Sequence, residues 1–279
     1  MQIKTILVHL TRRHDVGRIL ESACALARMN NAHLIGMAAF SGVPAIPPMM
    51  IPFSGAVVRE MLDAAEQAEK DLKDAFDRAT HEAPFVSEWV RVKGLTSDLV
   101  AAVLDQARTA DLIVAAQRDP DWELGAVLDF PEQLALESGR PVYLVPREGR
   151  LPQQTKTVAI AWNGSREATR AVFDALTFLN AAEQVVILTV TDDGEPPADR
   201  SPATALAATL ARHGITTTIT YLKTDDAGVS KTVRDEATRI NADLLVLGAY
   251  GHSRLREFVF GGVTRDLTND AQVPLLLSH

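Results

Sequence analysis

Cysteine is almost absent: Cys24 alone stands in 279 residues, so no disulfide can form within the chain. It lies in the apolar helical pattern ILESACALA, where a small buried side chain is expected rather than a nucleophile. Long hydrophobic runs are missing too. None reaches the roughly 18 residues that a spanning helix needs, and the apolar run in MQIKTILVHL is shorter than a signal peptide requires. An excess of positive charge is the third absence. With 28 Lys and Arg against 36 Asp and Glu, the net charge is -8, and its averaged field repels nucleic acid and anionic membranes. A soluble, cytoplasmic protein with neither nucleic acid nor membrane as partner is expected. A local basic patch for a phosphate ligand stays open.

What is present repeats. KTILVHL (residues 4–10) matches KTVAIAW (156–162), ADLIVAA (110–116) matches ADLLVLG (242–248), and RPVYLVP (140–146) matches VPLLLSH (273–279). Three matches in one order indicate a tandem duplication. Their unbroken apolar runs suit strands covered on both faces, as in a parallel sheet between helices. Helical patterns alternate with them. In residues 57–80 an apolar stripe of Val58, Met61, Leu62, Ala65, Leu72, Ala75, Phe76 and Ala79 faces Glu, Lys and Asp. SREATRAVFDALTFL, SPATALAATLARHG and SKTVRDEATRI supply helices in the second half. Each half therefore reads as a doubly wound α/β layer.

The boundary is expected near PREGRLPQQT (146–155), where proline, charge and glutamine replace the apolar pattern. The first half carries roughly 20 extra residues between its first and fourth strands. Much of this excess is the Pro- and Met-rich stretch from Phe40 to Gly55, read either as a surface excursion or as a lid or partner-binding surface.

Chemistry concentrates in the second half. Gly248 ends a strand, and ligands in open α/β sheets bind beyond the carboxyl ends of strands. Gly248 and Gly251 would let backbone amides approach an anion by taking positive φ. Gly261 and Gly262 precede VTRDLTNDA, a helix start whose free N–H groups favour phosphate. Asn163, Gly164 and Ser165 form another strand-to-helix turn, with Asn163 able to pair with a base or ribose and Ser165 an ordinary helix cap. Arg254 and Arg256 either steer phosphate or form a solvated face, and His252 has no placed partner for acid–base work.

The spacing Gly248-x-x-Gly251, nine residues, Gly261, after ADLLVLG, with AWNGSREA and a closing VPLLL, resembles the universal stress protein family in its tandem two-domain form. The resemblance implies an adenine nucleotide alpha-hydrolase-like, Rossmann-like three-layer sandwich, with domains at residues 1–148 and 154–279. It implies that Gly248, Gly251, Gly261 and Gly262 surround the phosphates of ATP, with Thr264 offering a hydroxyl beyond them. Asn163 stands where the family has an Asp that holds adenosine, Gly164 follows it, and Val190 would lie near the adenine. Gly262 replaces the family's Ser or Thr. Mg²⁺ would accompany the nucleotide.

The first half departs from the pattern. Ala116 and Asp119 replace the first two glycines, and Thr11, Arg12 and Arg13 replace Asn163, Gly164 and Ser165. Asp119, Asp121 and Glu123 would repel a phosphate, and with His14 they match no strong metal signature, so a solvated acidic loop on a scaffold domain is expected. The family resemblance further implies that the last strands of the two halves pair within one chain, hiding two sheet edges. With no nucleophile, placed acid–base pair or metal cluster, the expected function is a nucleotide-binding sensor or adaptor with at most slow ATP hydrolysis. An adenylating enzyme, or an interaction module binding no nucleotide, remains the alternative. Homodimerisation and a protein partner stay open.

Overall fold

The computed structural model describes residues 2–41, 54–94, 99–119, 121, 130–197, 201–224, 226, 228–249 and 262–279. Gly251, His252, Arg254, Arg256, Gly261, Glu123 and most of the Phe40–Gly55 stretch lie outside them. The chain divides into two compact units, Ile3–Phe130 and Met1–Gln2 with Pro131–His279. Both are α/β.

In the first unit the order is β1 (Thr5–His9), α1 (Val16–Asn30), β2 (His33–Ser41), α2 (Gly55–Thr80), β3 (Ser87–Gly94), α3 (Leu99–Ala107) and β4 (Leu112–Ala116). Its strands lie β3-β2-β1-β4, with every pair parallel. All five residues of β4 are buried, as the unbroken apolar run predicts. Of the stripe predicted on α2, only Leu72 and Phe76 are buried, while Met61 is exposed. Twenty-six residues at about 1.5 Å each make α2 longer than the strands it covers, so its first turns run past the core. Phe76 is its anchor. A Cβ on Gly36 would lie 2.6 Å from the Phe76 ring and 2.8 Å from Trp89, so the missing side chain of β2 makes the seat for that ring.

The second unit contains α4 (Pro131–Glu137), β5 (Val142–Val145), β6 (Thr157–Ala161), α5 (Arg166–Asp174), α6 (Leu176–Ala181), β7 (Gln184–Thr191), α7 (Pro202–Arg212), β8 (Thr217–Lys223), α8 (Gly228–Arg239), β9 (Leu244–Gly248), α9 (Val263–Asn269) and β10 (Leu275–Ser278). Strand order is β5-β10-β9-β6-β7-β8. All neighbours are parallel except β5 and β10, which pair antiparallel with Tyr143 opposite Leu276. RPVYLVP and VPLLLSH therefore pair as expected. This pairing groups β5 with the second unit.

The repeated Lys-Thr and Ala-Asp motifs have one structural cause. Asp243 accepts from the backbone N–H of Lys156 at 2.8 Å and Thr157 at 2.9 Å, fixing the start of β6 to that of β9. Asp111 does the same for Lys4 at 2.8 Å and Thr5 at 3.0 Å. Each carboxylate satisfies two strand-entry donors and sets the register of neighbouring strands.

His9, at the end of β1, is buried against Phe130 with ring centroids 5.0 Å apart, and its Nε2 has no hydrogen-bond partner. Burial pushes its pKa from 6.5 down to about 4. Below pH 6.5 the unfolded chain takes up a proton that folded His9 refuses until about pH 4. Stability is thus expected to fall by about 3 kcal/mol as pH drops through that window. Urea unfolding at pH 7, 6 and 5 should show this slope in the wild type and its loss in His9→Leu.

Candidate functional site

In the second unit the chain order runs outward from β6 in two directions, β7 then β8 on one side and β9 then β10 on the other. Their connections leave in opposite directions between β6 and β9, and a crevice opens there beyond the strand ends. A cavity of about 600 Å³ occupies this place, within the range of small-molecule sites.

Five of the ligand positions expected from the sequence border it: Asn163, Val190, Gly248, Gly262 and Thr264. Gly164 is beside it, not in its wall. Its φ of +74° completes the turn from β6 into α5, a conformation that favours glycine. Asn163 Oδ1 accepts from the Ser165 N–H at 3.0 Å, and Ser165 Oγ caps α5 by accepting from Ala168 N–H at 3.1 Å. The amide oxygen of Asn163 is therefore held in the turn, leaving its Nδ2 to face solvent or a ligand.

Gly248 is a glycine for a different reason from the one expected. It sits at the end of β9 without positive φ, and an added Cβ would meet Ala168 N at 2.4 Å and the Glu167 carbonyl carbon at 2.6 Å. The first turn of α5 presses on the strand end. Thr264 is buried and its Oγ1 donates to the Gly248 carbonyl at 3.2 Å, so that proton ties α9 to β9 and is not offered to the cavity. Gly262 is the N-cap of α9 with extended backbone and no side-chain cap.

Other walls were not singled out in the sequence as ligand positions. Trp162, Ser201 and Thr224 border the cavity, and Trp162 Nε1 is buried without an acceptor. Ser201 was legible only as the opening of a helix, since Ser-Pro is an ordinary start signal. No Lys or Arg borders the cavity among the described residues, and Asp192 is its one charged side chain there. Beneath it, burial pushes the Glu167 carboxyl up. Its own backbone N–H, Arg166 and His279 outweigh that and hold it below the ordinary glutamate value.

The corresponding place in the first unit is built differently. Four residues join β6 to α5, whereas six join β1 to α1. The longer turn carries Arg12, which is buried, with its guanidinium donating to the Gln117 carbonyl at 3.0 Å and pairing with Asp15 at 2.5 Å and Asp119 at 3.0 Å. Asp119 is thus neither solvated nor repulsive as the sequence suggested, because a buried cation lies between it and Asp15. Arg13 pairs with Asp71 at 2.9 Å, and the Thr11 hydroxyl is buried without a partner.

The sequence model of the universal stress protein family matches residues 154–279. A universal stress protein from Archaeoglobus fulgidus DSM 4304 aligns over 98% of this chain and 95% of its own, at 14% identity and a TM-score of 0.71. A second solved structure, described as a putative universal stress protein from Pseudomonas aeruginosa UCBPP-PA14, aligns over 99% and 93%, at 14% identity and a TM-score of 0.56. At these identities the likeness is one of fold, and it extends through both units. No curated protein matches the sequence. The residues that match the family model therefore hold the cavity, and the preceding unit holds the Arg12 cluster.

Two substitutions separate packing from helix capping in the second unit. Gly248→Ala is expected to lower stability by about 2 kcal/mol, since backbone must move to admit the methyl group. Gly262→Ser should raise it by a few tenths of a kcal/mol by supplying the missing cap. Urea denaturation of both variants checks the contrast. In the first unit, Arg12→Met leaves two carboxylates without their cation and is expected to cost about 3 to 5 kcal/mol near neutral pH. Burial already raises the Asp15 carboxyl, so the folded state binds that proton more tightly than the unfolded state and gains stability as pH falls. Arg12 opposes that rise, so without it Asp15 is held up further and takes its proton at higher pH; the deficit of Arg12→Met should therefore shrink between pH 7.5 and pH 5.5, measured by denaturant titration of wild type and variant.

Proposed function

We propose that residues 154–279 bind an adenine nucleotide, ATP with Mg²⁺ in the first instance, and that the protein acts as a stress-responsive sensor or adaptor. The observation that carries this reading is the cavity at the switch point, bordered at once by Asn163, Val190, Gly248 and Gly262. Its position and size suit a nucleotide, and the N-cap residues of α5, α7 and α9 (Ser165, Ser201 and Gly262) all border it. The glycine spacing that continues through Gly251 and Gly261 in the sequence supports phosphate at the β9 end.

The chemistry of the wall supports binding over turnover. Its described residues include no nucleophile–base pair, and its charged side chain is the carboxylate of Asp192. With no cation on the described wall, Mg²⁺ would offset the nucleotide's charge. The first domain, taken as residues 1–148, would serve as scaffold because Arg12 and its carboxylates occupy the corresponding strand ends. A signal would then pass to a protein partner through the state of the second domain.

Gly262→Asp tests the reading without sacrificing the fold. Asp is a good N-cap, so α9 is retained, while its charge sits where phosphate is proposed. Calorimetric titration of Mg²⁺-ATP is expected to give one site per chain in the wild type and affinity weakened at least about tenfold in Gly262→Asp, with adenosine binding little changed. No binding of ATP to the wild type, or equal binding to both proteins, would overturn it.

A further inference from the structure

The wall opposite the glycines contains a pair of hydroxyls with one proton to spare. Ser201 caps α7, its Oγ accepting from the Ala203 N–H at 3.2 Å, and the Tyr221 hydroxyl on β8 donates to the same Oγ at 2.8 Å. A serine hydroxyl has two lone-pair sites and one proton. Both lone pairs are taken by these two donors, so the serine proton must go elsewhere. Ser201 is only 6% exposed and borders the cavity, whereas Tyr221 does not border it. The remaining proton therefore has the cavity as its outlet.

We infer that Ser201, held by Tyr221, is a specificity-determining donor that reads an unprotonated ring nitrogen of the adenine base. This rests on the nucleotide reading above and adds which residue recognises the base. Ser201 opens the helix between β7 and β8 and is held by Tyr221 on β8, whereas Gly248 ends β9. This side of the cavity suits the base of a nucleotide whose phosphates lie at the glycines. Val190, Pro197, Pro202 and Val229 give the surrounding wall an apolar character fitted to a flat ring. A fixed donor in such surroundings discriminates strongly, because a ligand presenting N–H at that point leaves two donors facing each other. Tyr221 is a positioning residue: it fills the serine's second lone pair and thereby orients the proton.

The test is binding of adenosine and its 1-deaza, 3-deaza and 7-deaza analogues to wild type, Ser201→Ala and Tyr221→Phe, with thermal unfolding followed in parallel. Tyr221→Phe keeps the Ser201 cap and guards against a variant that merely misfolds. In the wild type one analogue should bind about five- to tenfold more weakly than adenosine. In Ser201→Ala adenosine should weaken to the same extent, and that analogue should lose nothing further, which is coupling between the atom and the residue. Tyr221→Phe should show a smaller loss with the same analogue dependence. If every analogue loses affinity equally in wild type and Ser201→Ala, the ring-nitrogen contact is overturned while nucleotide binding stands. If the wild type binds neither adenosine nor ATP, both readings fail.

Discussion

The site in the second unit depends on a contact that leaves no room for a side chain. The amide of Ala168 and the carbonyl carbon of Glu167 stand where a Cβ on Gly248 would be. This close approach brings the first turn of α5 down onto the end of β9, so the Ser165 cap and the β9 carbonyl end face the same space. Thr264 completes the arrangement by donating to the Gly248 carbonyl, which ties the start of α9 to the same strand end. A glycine that looks like a phosphate residue is first a packing residue. Its value to a ligand comes from what it lets the helix do.

The first unit shows the consequence of relaxing that contact. Its sheet repeats the order of the second, and Asp111 holds the strand starts as Asp243 does. The turn after β1 is longer, and Ala116 is tolerated where Gly248 is required. The space is taken by the Arg12 guanidinium between two carboxylates and a backbone carbonyl. Such a buried cluster is costly to break and contributes little net stability while intact. It fills the strand end with internal pairing.

The cavity of the second unit is unusual in its supply of unspent donors. Asn163 Nδ2 is left over once its oxygen enters the turn, Trp162 Nε1 has no acceptor, and one proton of the Ser201–Tyr221 pair is free. Donors without cations suit a ligand rich in acceptors that brings its own counter-ion. Such donors suit the magnesium nucleotide proposed above.

The matching runs of the two halves and their α/β layers were legible in the sequence, because both follow from local apolar runs. KTILVHL and KTVAIAW were legible as strands since burial on both faces demands unbroken hydrophobic residues. The sequence also placed Asn163, Val190, Gly248, Gly262 and Thr264, which the fold brings to one cavity. It did not reveal why Gly248 lacks a side chain, that Thr264 spends its proton on a carbonyl, or that Arg12 reaches Asp119. Nor did it reveal that α2 outruns its core, since a helical stripe has the same period whether or not a sheet lies beneath it. Ser201 and Tyr221 were ordinary in sequence, a helix start and a strand residue. Each of these depends on the distance between groups far apart along the chain, which no local pattern encodes.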